Sequence, residues 1–152
     1  MRATIDETCM LTAEIWANRS TCPKRHVGVC ITTPDGRVLA VGYNGAPRGM
    51  AHCDEVGCYL DARDECTNAI HAEANSIAIA ARIGISLSGA IMYSTCFPCS
   101  RCAQLIGAVG IAQVIYAQAR PGNLRDVIRA EEILQTAGVI LRQLGGTSHE
   151  TD

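Results

Sequence analysis

Aromatic side chains are scarce in this sequence. One Phe, one Trp and four Tyr among 152 residues leave the core to aliphatic and small side chains. No apolar run approaches the ~18 residues of a membrane-spanning helix, so a membrane is not expected as a partner. The opening stretch MRATIDETCM carries acids and no apolar segment after Arg2, which argues against a signal peptide and makes a cytoplasmic location the expectation. Neither sign of charge dominates: the formal net charge is −2, which gives no general attraction for a polyanion, and no nucleic-acid partner is expected. Internal repeats, low-complexity tracts and linkers are also missing.

What is abundant is cysteine, nine in all, within a chain that is 48% hydrophobic and 18% charged, the balance of a packed domain. The length suits a single domain over residues 1–145, with 146–152 of the polar GGTSHETD end as a flexible tail. In a reducing compartment nine thiols are not a disulfide framework; metal binding or catalysis has to account for them.

Hydrophobic periodicity places an amphipathic helix over about Asp6 to Ser20. The β-rich runs HVGVCITT and RVLAVGY follow, joined by Pro34-Asp35-Gly36, so residues 26–43 are expected to form an antiparallel hairpin. Residues 44–69 show neither period and need a tether. A helix capped by Thr67-Asn68 is expected to run to Ile83 with Gly84 as its stop, followed by a strand AIMYST and a helix from near Pro98. Strand VIYA, a helix from Asn123 to Ala137 and strand VILRQL complete the order α-β-β-α-β-α-β-α-β. The fold class is therefore α/β, a mixed five-stranded sheet with helices on both faces.

Chemistry concentrates in two short motifs. Pro98-Cys99-Ser100-Arg101-Cys102 sets two thiols three residues apart on one side of a helical first turn, and His71-Ala72-Glu73 brings an imidazole and a carboxylate to the start of the preceding helix. His71, Cys99 and Cys102 form a three-ligand zinc set whose fourth tetrahedral position is open to water, the arrangement of a catalytic rather than a structural site. Zinc lowers the pKa of its water toward ~7, and Glu73 is the group placed to move protons. Taken singly, Glu73 reads as a solvated helix carboxylate and the Cys-x-x-Cys as a redox pair; the two helix starts taken together make metal chemistry the better reading. An H-x-E followed by P-C-x-x-C is the pattern of zinc-dependent nucleobase deaminases.

With HAEANSI and FPCSRC joined to VGYNGAPRGMAHCDEVGC, the chain resembles the deoxycytidylate deaminases of the cytidine deaminase-like superfamily over about Cys22 to Ala117. The resemblance implies zinc-dependent conversion of dCMP to dUMP, which supplies dTMP synthesis. It further implies that Asn44 hydrogen-bonds the substrate, although a turn Asn beside Gly45 is the plain alternative. Ala72, Thr95 and Phe97 match the pocket wall, and Arg48 is a candidate for the substrate phosphate. The family also implies a homo-oligomer, in particular a homohexamer, activated by dCTP and inhibited by dTTP with Mg²⁺ at a site near Gly42, Tyr43 and Gly45.

Five further donors, Cys22, His52, Cys53, Cys58 and Cys66, exceed what one tetrahedral site uses. The resemblance assigns Cys22, His52, Cys58 and Cys66 to a second, structural zinc, with Cys53 as a substitute ligand, giving two zinc ions per chain. Such an ion would staple the 44–69 segment to the end of the first helix. Cys9 and Cys30 are placed as core residues. Two rival functions remain at this point: deamination of dCTP, cytidine, guanine or tRNA adenosine, and a zinc-stabilised nucleic-acid-binding module without turnover, against which Glu73 speaks.

Overall fold

In the computed structural model, which describes residues 1–145, β-branched and aliphatic segments assemble one five-stranded sheet. The elements are α1 (Ile5–Ala17), β1 (Gly28–Thr32), β2 (Val38–Tyr43), α2 (Cys53–Val56), α3 (Ala72–Ile83), β3 (Ile91–Cys96), α4 (Ser100–Ala108), β4 (Gln113–Gln118), α5 (Leu124–Thr136) and β5 (Ile140–Gln143). Across the sheet the order is β2-β1-β3-β4-β5, with β1 antiparallel to both neighbours and β3, β4 and β5 mutually parallel. The expected tail, 146–152, lies outside the described residues.

Alternation along the strands divides the core between the two faces. Val29, Ile31, Met92 and Val114 point to one side and join Ile77, Ala80, Ile106 and Leu134 of α3, α4 and α5. Cys30, Tyr93 and Ile115 point to the other and meet Cys9, Met10 and Ala13 of α1. Cys30 is thus a core thiol, and burial pushes its pKa up to about 12. Two glycines permit the close helix contacts: a Cβ at Gly28 would stand 1.9 Å from the Ala13 carbonyl oxygen, and one at Gly42 2.6 Å from that of Ala72. α1 and α3 therefore rest directly on strand backbone, and the start of α3 is fixed in height above the sheet.

α1 is closed at its start by a capping box between Thr4 and Glu7. Beside that cap, Asp6 accepts a hydrogen bond from Tyr93 Oη at 2.7 Å and pairs with Arg142 on β5. Burial raises the Asp6 carboxyl pKa, but the Tyr93 and Arg142 bonds outweigh it and hold the group below the usual carboxylate value. A depressed folded-state pKa stabilises the protein above the unfolded value near 4 and ceases to as pH falls through the folded one. Asp6→Asn is accordingly expected to lose about 1 kcal/mol at pH 7, a figure reduced for the exposure of the pair, and to lose less than that at about pH 3 in urea unfolding. An equal deficit at both pH values would contradict this account.

The 44–69 segment is more ordered than its sequence suggested. Gly45 and Ile70 exchange backbone hydrogen bonds at 3.2 and 2.9 Å, α2 forms one short helix, and Leu60 pairs with Cys66. Thr67 and Asn68 do not cap α3 as expected: Thr67 bonds the Tyr59 carbonyl and Asn68 the Ala51 carbonyl. Their side chains tie the loop, so α3 starts later, with His71 at its N-cap. Gly84, at φ 74°, ends α3 in the left-handed conformation expected of it.

Candidate metal centre and substrate cavity

The C-terminal ends of β3 and β4, the start of β1 and the end of β2 lie along one rim of the sheet. The starts of α3 and α4 lie there as well. His71 is the N-cap of α3 and Cys99 that of α4, so both present their side chains beyond a helix start. The potential ligand atoms of His71, Cys99 and Cys102 all lie within 4.8 Å of one another. His71 Nδ1 stands 3.4 Å from Cys99 Sγ and 3.6 Å from Cys102 Sγ. One nitrogen and two sulfurs in a cluster of this size fit a zinc ion, and three protein ligands leave a coordination position free.

The surroundings favour thiolate. The Cys102 N–H points at Cys99 Sγ (3.4 Å), and the Ala74 N–H of the α3 first turn faces Cys102 Sγ. Hydrogen bonding from Cys102, reinforced by His71, lowers the Cys99 thiol to about 4, against its own burial. The neighbouring Cys99 sulfur and burial push the Cys102 thiol upward. The bond to Cys99 raises the His71 pKa. Glu73, 4% exposed, lies behind this group with Oε2 3.7 Å from Cys102 Sγ, and burial raises its carboxyl pKa. A carboxyl that is desolvated and next to a metal-ligand set is suited to taking up and returning a proton near neutrality.

A cavity of about 250 Å³ opens onto Glu73 and His71. Ala72 and Phe97 form part of its wall, and Phe97 is held edge-on to Tyr116 at 5.0 Å. Asn44 also lines it, but its amide is largely engaged: Oδ1 accepts from the Val27 N–H at 2.8 Å and Nδ2 donates to the Arg25 carbonyl at 2.7 Å. Asn44 thus shapes the cavity by fixing residues 25–27, with one N–H and one lone pair to spare. Thr95 does not line the cavity; its hydroxyl accepts the Gly28 N–H at 3.1 Å and ties β3 to β1.

Arg48 is exposed and lines neither this cavity nor the larger one beside it. The cations that do line the 250 Å³ cavity are Lys24, Arg25 and Arg120, which sequence reasoning missed. The basic run Pro23-Lys24-Arg25-His26 just ahead of β1 was the available signal for two of them. The candidate effector residues lie outside the cavity as well: Gly42 sits under α3, Tyr43 stacks on Trp16 at 6.1 Å, and Gly45 pairs with Ile70.

The second group of donors differs from the expected set. Cys53, Cys58 and Cys66 come together within 4.8 Å, whereas Cys22 and His52 stand outside that group. His52 is the N-cap of α2, and its Nδ1 lies 3.0 Å from Thr21 Oγ1. Burial disfavours the Cys66 thiolate, but the N–H groups of Ala69 and Asn68 and the two neighbouring thiols outweigh it and bring the thiol down to about 7. Three sulfurs, one of them held toward thiolate, fit a thiophilic metal ion, one ligand short of a closed tetrahedral structural site.

This fold and donor set recur in known proteins. Residues 3–118 match the family described as the cytidine and deoxycytidylate deaminase zinc-binding region, and the chain belongs to that family. It is 37% identical over 135 residues to ComE operon protein 2 of Bacillus subtilis, covering 89% of this chain and 68% of that one. A probable deoxycytidylate deaminase of Drosophila melanogaster is also 37% identical, covering 88% and 69%. The dCMP deaminase of cyanophage S-TIM5, crystallised with dCMP and dUMP, superposes with a TM-score of 0.79 at 29% identity, covering 95% of this chain and 99% of that one. Among the described residues, no helix is long and apolar enough to cross a membrane.

Proposed function

We propose that this chain is a zinc-dependent hydrolase that converts dCMP and water to dUMP and ammonia. The observation that carries the reading is the placement of buried Glu73 beside the His71, Cys99 and Cys102 donors, with Glu73 and His71 on the wall of the 250 Å³ cavity and His71, Cys99 and Cys102 on that of the adjoining one, in a chain related to deoxycytidylate deaminases. Bound by those three residues, zinc supplies the Lewis acidity that makes water a nucleophile at neutral pH. Phe97 and Ala72 pack against the pyrimidine and exclude bulk water. Glu73 takes a proton from the attacking water and returns protons to the ring nitrogen and to the departing amine. The helix starts that hold Cys99 and His71 favour the Cys99 thiolate and keep the donors in register.

A second zinc on Cys53, Cys58 and Cys66 would cross-link the loop that frames the cavity, since Cys66 lines the cavity wall. The homohexamer and the dCTP, dTTP and Mg²⁺ response rest on family resemblance, and light scattering with and without the nucleotides measures both. The substrate reading is tested by incubating zinc-loaded protein with dCMP, dCTP, deoxycytidine and adenosine and following ammonia release. dCMP is expected to give the highest kcat/KM. A preference for any of the other three refutes the substrate reading.

A further inference from the structure

A nucleoside monophosphate brings about two negative charges to the mouth of a cavity whose floor must be reserved for the reacting ring. Of the cations on the cavity wall, Lys24 is exposed and solvated, and the Arg25 charge acts on the buried Cys96 thiol. Arg120, two residues beyond β4, is different: it lines both the substrate cavity and the adjoining one of about 750 Å³, and so stands where the two meet beside His71. Its charge acts on His71, Glu73 and Cys96, which line the same cavity.

Its side chain is 23% exposed, yet no hydrogen bond to its guanidinium is formed among the described residues. The one carboxylate paired with it, Asp126, approaches Nε at 3.6 Å, which leaves both terminal nitrogens without a partner. Asp126 is itself held, since its carboxylate accepts the Ser100 hydroxyl at 2.5 Å and faces the Ser100 N–H at 3.4 Å on the first residue of α4. The arginine is thus braced from the metal-bearing helix while its fork of donors stays free. A largely desolvated cation with unused donors fits a phosphate, which accepts two parallel hydrogen bonds from a guanidinium.

We propose that Arg120 is the specificity-determining residue for the 5′-phosphate of the substrate, positioned by Asp126. This rests on the dCMP reading above. The test compares zinc-loaded wild-type and Arg120→Ala proteins on dCMP and on deoxycytidine, and measures binding of 2-deoxyribose 5-phosphate to each by calorimetry. Loss of a bidentate, charge-assisted contact made equally in ground and transition states raises KM and leaves kcat nearly unchanged. kcat/KM for dCMP is expected to fall about 10- to 100-fold more than that for deoxycytidine, mainly through KM, and binding of the sugar phosphate to weaken about tenfold or more.

Equal losses on both substrates overturn the proposal, because they make Arg120 a support for Glu73 or the thiolates. Unchanged KM for dCMP overturns it as well. If the wild-type protein turns over a different amino-heterocycle and not dCMP, the substrate reading fails, and the calorimetric comparison still decides whether Arg120 binds phosphate.

Discussion

Glu73→Gln is expected to fold, to bind zinc with wild-type stoichiometry and to deaminate dCMP about 10²- to 10⁴-fold more slowly, the usual worth of a positioned acid-base group. The substitution preserves volume and an oxygen acceptor but cannot accept and release a proton. Because Glu73 is buried against the Cys102 sulfur rather than bonded to the loop, its loss disturbs little else. Its backbone carbonyl, which accepts the Ser76 hydroxyl at 2.8 Å, is untouched. Steady-state kinetics with zinc measured in the same sample separate the chemical role from a folding defect. Normal turnover by a zinc-replete Glu73→Gln protein would falsify the assignment of proton transfer to this residue.

Removing a thiol should have a still larger effect on activity. Cys99→Ala takes away a ligand and, with it, the cap that receives the Cys102 N–H at the start of α4. Two zinc ions per wild-type chain and one per Cys99→Ala chain are expected by atomic absorption, with deamination lost. Cys58→Ala should also bind one zinc but keep measurable activity with lowered resistance to heat, because its group ties the loop rather than meeting the ring. One zinc per wild-type chain, absent from Cys99→Ala, would remove the second metal site.

The clustering of His71, Cys99 and Cys102 was readable because the donors sit at two helix starts, Cys99 with Cys102 within one turn and His71 two residues before Glu73. The hairpin turn at Pro34-Asp35-Gly36 and the stop at Gly84 were readable because each depends on the local conformational preference of one or two residues. What the sequence hid depends on long-range folding. His52 and Cys53 are adjacent in the chain, and only the path of the 44–69 loop sends one toward Thr21 and the other toward Cys66. Thr67 and Asn68 have the chemistry of a helix cap, and the loop uses that chemistry first. Arg120 sits in no motif. It reaches the cavity because β4 pairs in parallel with β3, which sets the end of one strand beside the cysteines that follow the other.

That pairing leaves the sheet with two unlike edges along its strand ends. The donors, Glu73 and the cavity all collect at one rim, whereas the hairpin turn of residues 33–37 and the connections into β3, β4 and β5 near residues 84–90, 110–112 and 137–139 lie at the other. Chain length can therefore change at the far rim, away from the His71, Cys99 and Cys102 donors. The turn around Asp35 is a suitable place to graft a reporter peptide or to reopen the chain for circular permutation, because variation in its length is separated from the chemistry by the full height of the strands.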